Sequence, residues 1–192
     1  MKGQSQPTGS GNIVQCYVMK RYIITAAILL SLISSLGVVD DVHARANTQA
    51  LPQADRVVVI KGARTLSLMR QGKMIKTYKI SLGREPVGHK EKEGDSKTPE
   101  GDYIIDGRNP HSKFHLALHI SYPSPRDKNL AERGGRVPGG AIMIHGRPNW
   151  TGWIRSLYED RDWTDGCIAV SNAEMDEIWS AVPDGTPVTI LP

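Results

Sequence analysis

From Arg56 to Leu82 the sequence reads as three strands in close succession, which confines the chain to a sheet-based fold. RVVVIK (56–61) is a β-branched run closed by Gly62, and TLSLMR (65–70) alternates apolar and polar side chains. Gln71-Gly72 offers a hairpin turn into a third strand, Lys73–Leu82. Further strands are expected over Asp102–Gly107, Phe114–Tyr122, Ala141–His145 and Thr186–Leu191. Two short helices fit between them. Asp127–Arg133 stops at glycine, and Ser171–Val182 opens on the S-x-x-E capping pattern of Ser171 and Glu174. Met175, Ile178, Trp179 and Val182 share one face of that second helix, and Pro183-Asp184-Gly185 ends it. No internal repeat or low-complexity tract is present. The expectation is one mainly β domain with about two short helices.

Between Gly83 and Gly101 the pattern lapses into a charged, Gly/Pro-rich stretch, GREPVGHKEKEGDSKTPEG. A run of that length without secondary structure inside a compact domain is usually functional or mobile. Its charges over Arg84–Lys97 read as a solvated loop.

The first 46 residues belong to something other than this domain. Met19 opens a stretch in which Lys20 and Arg21 precede an apolar run, Ile23–Val39, and then Ala44-Arg45-Ala46. A basic region, an apolar core and an A-x-A site in that order make a secretory signal peptide. The expected start is Met19, with cleavage after Ala46, a linker over 47–55 and the folded domain over 56–192. An uncleaved leader would instead be a short membrane anchor. Cys16 precedes the apolar run, which is the wrong side for lipid attachment. The protein is therefore expected in the periplasm or exported to the cell envelope.

Residues 47–192 carry 20 basic and 18 acidic residues. An excess of two is too small for a nucleic-acid partner, which calls for a clustered basic face. Cysteine usage says more. Export places the domain where disulfides form, yet Cys167 is the one cysteine after the leader. A lone thiol there is either used or buried.

Its neighbours bear on the choice. Cys167 follows Gly166 in Thr164-Asp165-Gly166-Cys167-Ile168 and precedes the apolar run Ile168-Ala169-Val170. His145, 22 positions upstream, ends its own strand and is followed by Gly146. Strand ends beside glycine are where side chains reach a cleft. A thiol near pKa 8.5 is only slightly ionised at neutral pH, so a nucleophile needs a base or cation that lowers its pKa. Spacing alone leaves two readings open: a Cys/His nucleophile–base pair, or a buried cysteine and a surface histidine.

His145-Gly146, some twenty residues, then Thr164-Asp165-Gly166-Cys167-Ile168 resembles the signature of the L,D-transpeptidase (YkuD-type) catalytic domain, a His-Gly followed by Ser/Thr-x-Gly-Cys-Ile/Val. The likeness extends to Val87-Gly88-His89-Lys90, Glu93-Gly94-Asp95 and Lys97-Thr98-Pro99-Glu100-Gly101. It also takes in Ile120-Ser121-Tyr122-Pro123 and Val182–Val188, so that it covers about Val57 to Leu191 and is similar to secreted proteobacterial members. Two positions depart from the family pattern. Asp165 stands where a second histidine is frequent, and Ala169 where an arginine is common, which leaves substrate choice open.

The resemblance implies a β-sandwich catalytic domain with Cys167 as nucleophile and His145 as base. Thr164, Asp165, Gly166 and Gly146 would line the oxyanion and substrate site, and neither metal nor cofactor is implied. The reaction implied is acyl transfer from an L-to-D peptide bond of a peptidoglycan stem to an amine, of another stem or of a protein lysine. Water in the amine's place gives a carboxypeptidase or amidase, and a silent wall-binding domain is the alternative of another class.

Other signals carry less. Trp150, Trp153, Tyr158 and Trp163 lie between His145 and Cys167, either as a lid or groove wall or as anchors on the core. His111, His115 and His119 are spaced by four, but they fall on a predicted strand with no evident carboxylate partner, so they read as ordinary histidines rather than a metal site.

Overall fold

The computed structural model describes residues 50–150, 158 and 161–192. The expected leader over 1–46, its start and cleavage sites, residues 47–49 of the linker and Trp153 lie outside the described residues.

β1 (Arg56–Ile60), β2 (Thr65–Arg70) and β3 (Lys73–Lys79) form an antiparallel meander. Gln71 and Gly72 both take positive φ, 51° and 73°, the pair of values a two-residue I′ hairpin requires. β8 (Pro187–Leu191) runs parallel to β1 and antiparallel to β4 (Gly101–Ser112). β4 continues into an antiparallel hairpin with β5 (His115–Ile120), followed by β6 (Met143–His145) and β7 (Ile168–Ala169). The result is one mixed sheet in the order β3-β2-β1-β8-β4-β5-β6-β7. Helices α1 (Pro125–Arg133) and α2 (Asn172–Ala181) complete the domain.

β4 joins the two halves. Gly101–Ile104 pairs with β8, whereas Ile105 onward pairs with β5 through two register shifts. Such bulges bend a strand and raise its twist. Both halves thereby feed one core: Val57, Val59, Leu66 and Leu68 from the first, Ile105, Leu118, Ile144 and Ile168 from the second. Met175 and Ile178 of α2 join it, as their spacing predicts. The layered packing expected of a sandwich is thus built from a single bent sheet.

Several boundaries differ from the sequence expectation. β3 ends at Lys79 rather than Leu82 because the chain changes partner there: Ser81 exchanges two backbone hydrogen bonds with Ala169, at 2.9 and 2.8 Å. β4 runs on past Gly107 to Ser112, with Pro110 at a register shift where no ladder N–H is needed. β6 begins at Met143, two residues late, after Ala141 at φ 46°. α1 begins two residues early because Ser124 and Asp127 cap it reciprocally, with Pro125 in the first turn.

The segment Gly83–Glu100 is solvated at Arg84, Glu85 and 91–94, as expected, but it is also pinned from beneath by buried charges, which the sequence reading did not anticipate. The Lys61 ammonium, almost fully buried, donates to the carbonyls of Gly88 (2.6 Å) and Thr98 (2.9 Å) and to Glu100 Oε1 (2.7 Å). Burial pulls its pKa down against the Glu100 carboxylate. Asp95 accepts from Lys90 Nζ at 2.7 Å and from the N–H groups of Glu91, Lys92 and Lys97. Burial alone would raise the Asp95 carboxyl, but those donors outweigh it and hold it at about 2. His89 accepts from Glu100 N–H and faces Asp127 of α1 at 3.3 Å.

Candidate active site

β6 and β7 are parallel, in the register Ile144↔Ile168 and His145↔Ala169. Cys167, one residue before β7, continues that register opposite Met143. Side chains alternate faces along a strand. Met143, His145, Cys167 and Ala169 therefore share one face, while Ile144 and Ile168 fall into the core with zero exposure. A cavity of about 310 Å³ lies over the shared face, lined by Cys167, His145, Met143, Phe114 and Trp163 among others.

His145 is 4% exposed. Its Nδ1 lies 2.6 Å from the Gly146 carbonyl oxygen, which can only accept, so Nδ1 carries the proton and Nε2 keeps its lone pair. Phe114 and Trp163 flank the ring at centroid distances of 4.7 and 5.7 Å. Burial pushes the imidazole pKa down, against the upward pull of the Gly146 carbonyl. His145 is thus a neutral, oriented base at pH 7.

The turn before Cys167 is fixed by Thr164, whose buried hydroxyl donates to the Cys167 carbonyl (2.7 Å) and accepts from Gly166 N–H (3.1 Å). Gly166 takes φ 129°, and a Cβ there would stand 2.6 Å from the Lys97 carbonyl oxygen. Only glycine satisfies both conditions. The Cys167 thiol lies 3.7 Å from the Ala141 carbonyl oxygen. Burial pushes the thiol pKa up and Asp165 adds to this, while the Met143 backbone and Lys90 oppose it. Burial thus acts toward the neutral form of both groups, against the lowering of the thiol pKa that a nucleophile needs.

The other expected site residues fall into two groups. Thr164 and Asp165 line the thiol cavity, but the Asp165 side chain is 80% exposed and ion-paired with Arg84. Gly146 is a packing glycine: a Cβ would meet Asn172 Oδ1 at 2.7 Å and His115 Cβ at 2.9 Å. Asn172, at the start of α2, also accepts from Arg147 N–H at 2.7 Å and so fixes the turn after His145. Sequence reasoning missed Asn172 and Phe114, and nothing local to either residue marks it. Trp163 forms cavity wall, stacked edge-on with Tyr158 at 4.9 Å, and Trp150 is exposed beside Phe114.

Two of the spaced histidines do have carboxylate partners, contrary to expectation. His115 contacts Asp176 of α2 at 2.6 Å, and His119 contacts Asp106 across the hairpin. The pairs are separate, and among the described residues no group of three His, Cys, Asp or Glu is placed to hold a metal.

Comparison with known proteins bears on the family of this domain. Residues 54–190 match the model of the L,D-transpeptidase catalytic domain, YkuD. YafK of Escherichia coli (strain K12) is 30% identical over 132 residues, covering 66% of this chain and 46% of that protein. YkuD of Bacillus licheniformis is 26% identical over 137 residues, 71% of this chain and 66% of that protein. Both carry L,D-transpeptidase in their names. Among solved structures, Pgp2 of Campylobacter jejuni, described as a helical cell shape determining protein, aligns with a TM-score of 0.53 at 27% identity. That alignment covers 73% of this chain and 50% of Pgp2. The chain thus spans about half the length of YafK and of Pgp2. With the match running from the first strand to the last, the chain belongs to the L,D-transpeptidase catalytic domain family of the YkuD type.

Proposed function

We propose that this protein is a cell-envelope L,D-transpeptidase that uses Cys167 as nucleophile and His145 as general base on peptidoglycan stem peptides. One observation carries the reading: the thiol and the neutral imidazole rise from adjacent parallel strands into one cavity, with the imidazole's acceptor nitrogen unspent among the described residues. His145 Nε2 takes the Sγ proton as sulfur attacks the carbonyl of an L-to-D peptide bond. The C–N bond breaks, the departing amine of the D-residue takes the proton from His145, and a thioester remains on Cys167. The Cys167 backbone N–H would serve the oxyanion, a contribution of about 3–4 kcal/mol per donor where measured, while the Gly166 N–H is held by the Thr164 hydroxyl. An amine from a second stem or from a protein lysine then resolves the thioester. Export through the expected leader would bring the enzyme to its polymer, and the likeness to a cell shape protein accords with a wall substrate.

A labelled carbapenem tests the reading. A covalent adduct on the wild type, lost in Cys167→Ala, supports it. A wild type that stays unmodified yet sediments with sacculi would instead support a silent wall-binding domain. Incubation with purified muropeptides separates transfer from hydrolysis: new cross-links or exchanged D-amino acids mark transfer, and shortened stems alone mark hydrolysis.

A further inference from the structure

The backbone on both sides of His145 is held by hydrogen bonds. The His145 carbonyl accepts from the Val170 N–H at 3.0 Å, and the Gly146 N–H donates to the Leu116 carbonyl at 3.3 Å. The Gly146–Arg147 peptide that follows is bonded at both ends. Its carbonyl oxygen accepts from His145 Nδ1 at 2.6 Å, and its N–H donates to Asn172 Oδ1 at 2.7 Å. The peptide is trans, so its two polar groups point in opposite directions and link the Asn172 amide to the imidazole in one chain. Asn172 is the first residue of α2, where the Ser171–Glu174 box fixes the backbone. Gly146 gives it room, since a Cβ there would stand 2.7 Å from the same Oδ1. One stretch, Cys167–Asn172, thus carries the thiol and also grips the chain at His145 and at Arg147.

We propose that Asn172 is the positioning residue of the His145 base, acting through the Gly146–Arg147 peptide without touching the ring. The proposal rests on the cysteine–histidine reading above. Two effects follow from the geometry. The Asn172 oxygen fixes the peptide plane, which aims the Gly146 carbonyl at Nδ1 and so selects the tautomer whose Nε2 can take the Sγ proton. An acceptor on the N–H also polarises the amide, because hydrogen bonds in a chain strengthen one another away from water. The Gly146 carbonyl then becomes a better partner for the imidazolium that forms when His145 takes the thiol proton. That carbonyl already draws the imidazole pKa up against burial, so Asn172 works in the direction a base requires. Other titratable groups surround the turn: His115 with its partner Asp176 beside Gly146, and Cys167 with Asp165 and Lys90 across the cavity. Substitution at 172 leaves all of these in place, so their influence is common to the variants compared.

Asn172→Leu, close in size but without an acceptor, is set against Asn172→Asp, which keeps an oxygen at the same place. Nitrogen NMR of the imidazoles reads the tautomer, with the His145 signals assigned by their loss in His145→Gln. A labelled carbapenem reads the maximal acylation rate and the concentration that half-saturates it, at about pH 8, above the ordinary histidine range. In the wild type and in Asn172→Asp the proton should sit on Nδ1. In Asn172→Leu it should divide between the two nitrogens. The maximal rate of Asn172→Leu should fall about tenfold or more, with the half-saturating concentration little changed. Asn172→Asp should recover most of that rate. A merely structural role would lower stability and leave the tautomer where it was. If Asn172→Leu does not fold, Asn172→Ala, which suits a helix, takes its place. An Nδ1 proton fully retained in the folded Leu or Ala variant would overturn the proposal, as would an Asp variant as slow as the Leu one. A wild type that forms no adduct sinks the cysteine reading instead, and the tautomer comparison alone then decides whether Asn172 orients the ring.

Discussion

The Thr164 hydroxyl is bonded at once to the Cys167 carbonyl and to the N–H of Gly166, so that one buried side chain holds both residues that flank the candidate oxyanion site. Thr164→Val keeps the shape and removes both bonds, leaving a buried carbonyl and N–H unsatisfied. A loss of about 1–3 kcal/mol is expected in denaturant unfolding. Carbapenem acylation should slow at least tenfold, whereas Thr164→Ser, which retains the hydroxyl, should stay close to wild type in both measurements.

Iodoacetamide alkylation of Cys167 as a function of pH reports the resting state of the pair. Burial holds the thiol above its ordinary range and the imidazole below its own, so both are neutral near pH 7. The rate should therefore rise in a single step above about pH 8.5, with no plateau on the acid side. An acid plateau would show a thiolate–imidazolium pair and contradict this account. Asp165→Asn removes a carboxylate that pushes the thiol up, so it should move the step toward lower pH. Its cost in stability should stay under about 1 kcal/mol, because the Arg84 pair is at the surface.

Asp95 links acid stability to the loop that packs on the cysteine turn. Its carboxyl lies at about 2 in the fold against 3.8 in the unfolded chain. A depressed carboxyl gives stability that is present above pH 3.8 and is lost as pH falls toward 2. About 2 kcal/mol follows from that shift. Asp95→Asn also strands the buried Lys90 ammonium, so at pH 7 it should cost about 3–5 kcal/mol. The gap between wild type and variant should narrow markedly in unfolding measured near pH 2, and an equal gap at both values would count against this assignment.

Two glycines with positive φ make a controlled pair. Gly166→Ala drives a Cβ to within 2.6 Å of a backbone carbonyl, whereas at Gly72 nothing lies within 4 Å. Gly72→Ala should cost only the left-handed backbone term, about 1 kcal/mol. Gly166→Ala should cost more than about 2 kcal/mol and abolish adduct formation, because the loop carbonyl cannot yield without moving the thiol.

Much of this fold is legible in sequence because its strands are short, β-branched and separated by turn residues. The α2 boundaries follow from the Ser171–Glu174 box, and the Cys167 and His145 positions from their strand-end glycines. The less legible parts depend on distant partners. Lys90 falls in a run that reads as solvated, and nothing local marks Lys61 as buried, yet each is enclosed by contacts formed only when the chain folds back over it. The end of β3 was hidden because Ser81 leaves β2 for Ala169, a partner 88 residues away. The direction of the thiol pKa shift belongs to the same class. Neighbouring residue types suggest activation, whereas enclosure, which no local pattern encodes, sets the sign.

The parallel pairing of β6 with β7 has a consequence for how such a site diversifies. An antiparallel hairpin ties the distance between two functional groups to the length of the turn that joins them. Here the register Ile144↔Ile168 is set by flanking strands and core side chains, and the sequence between the fixed turns at Gly146-Arg147 and Thr164–Cys167 is the return path. That path can lengthen, shorten or change its aromatic content while the sulfur and the imidazole keep their separation. Reactivity and selectivity are therefore inherited on separate stretches of the polymer, one anchored in the sheet and the other open to revision.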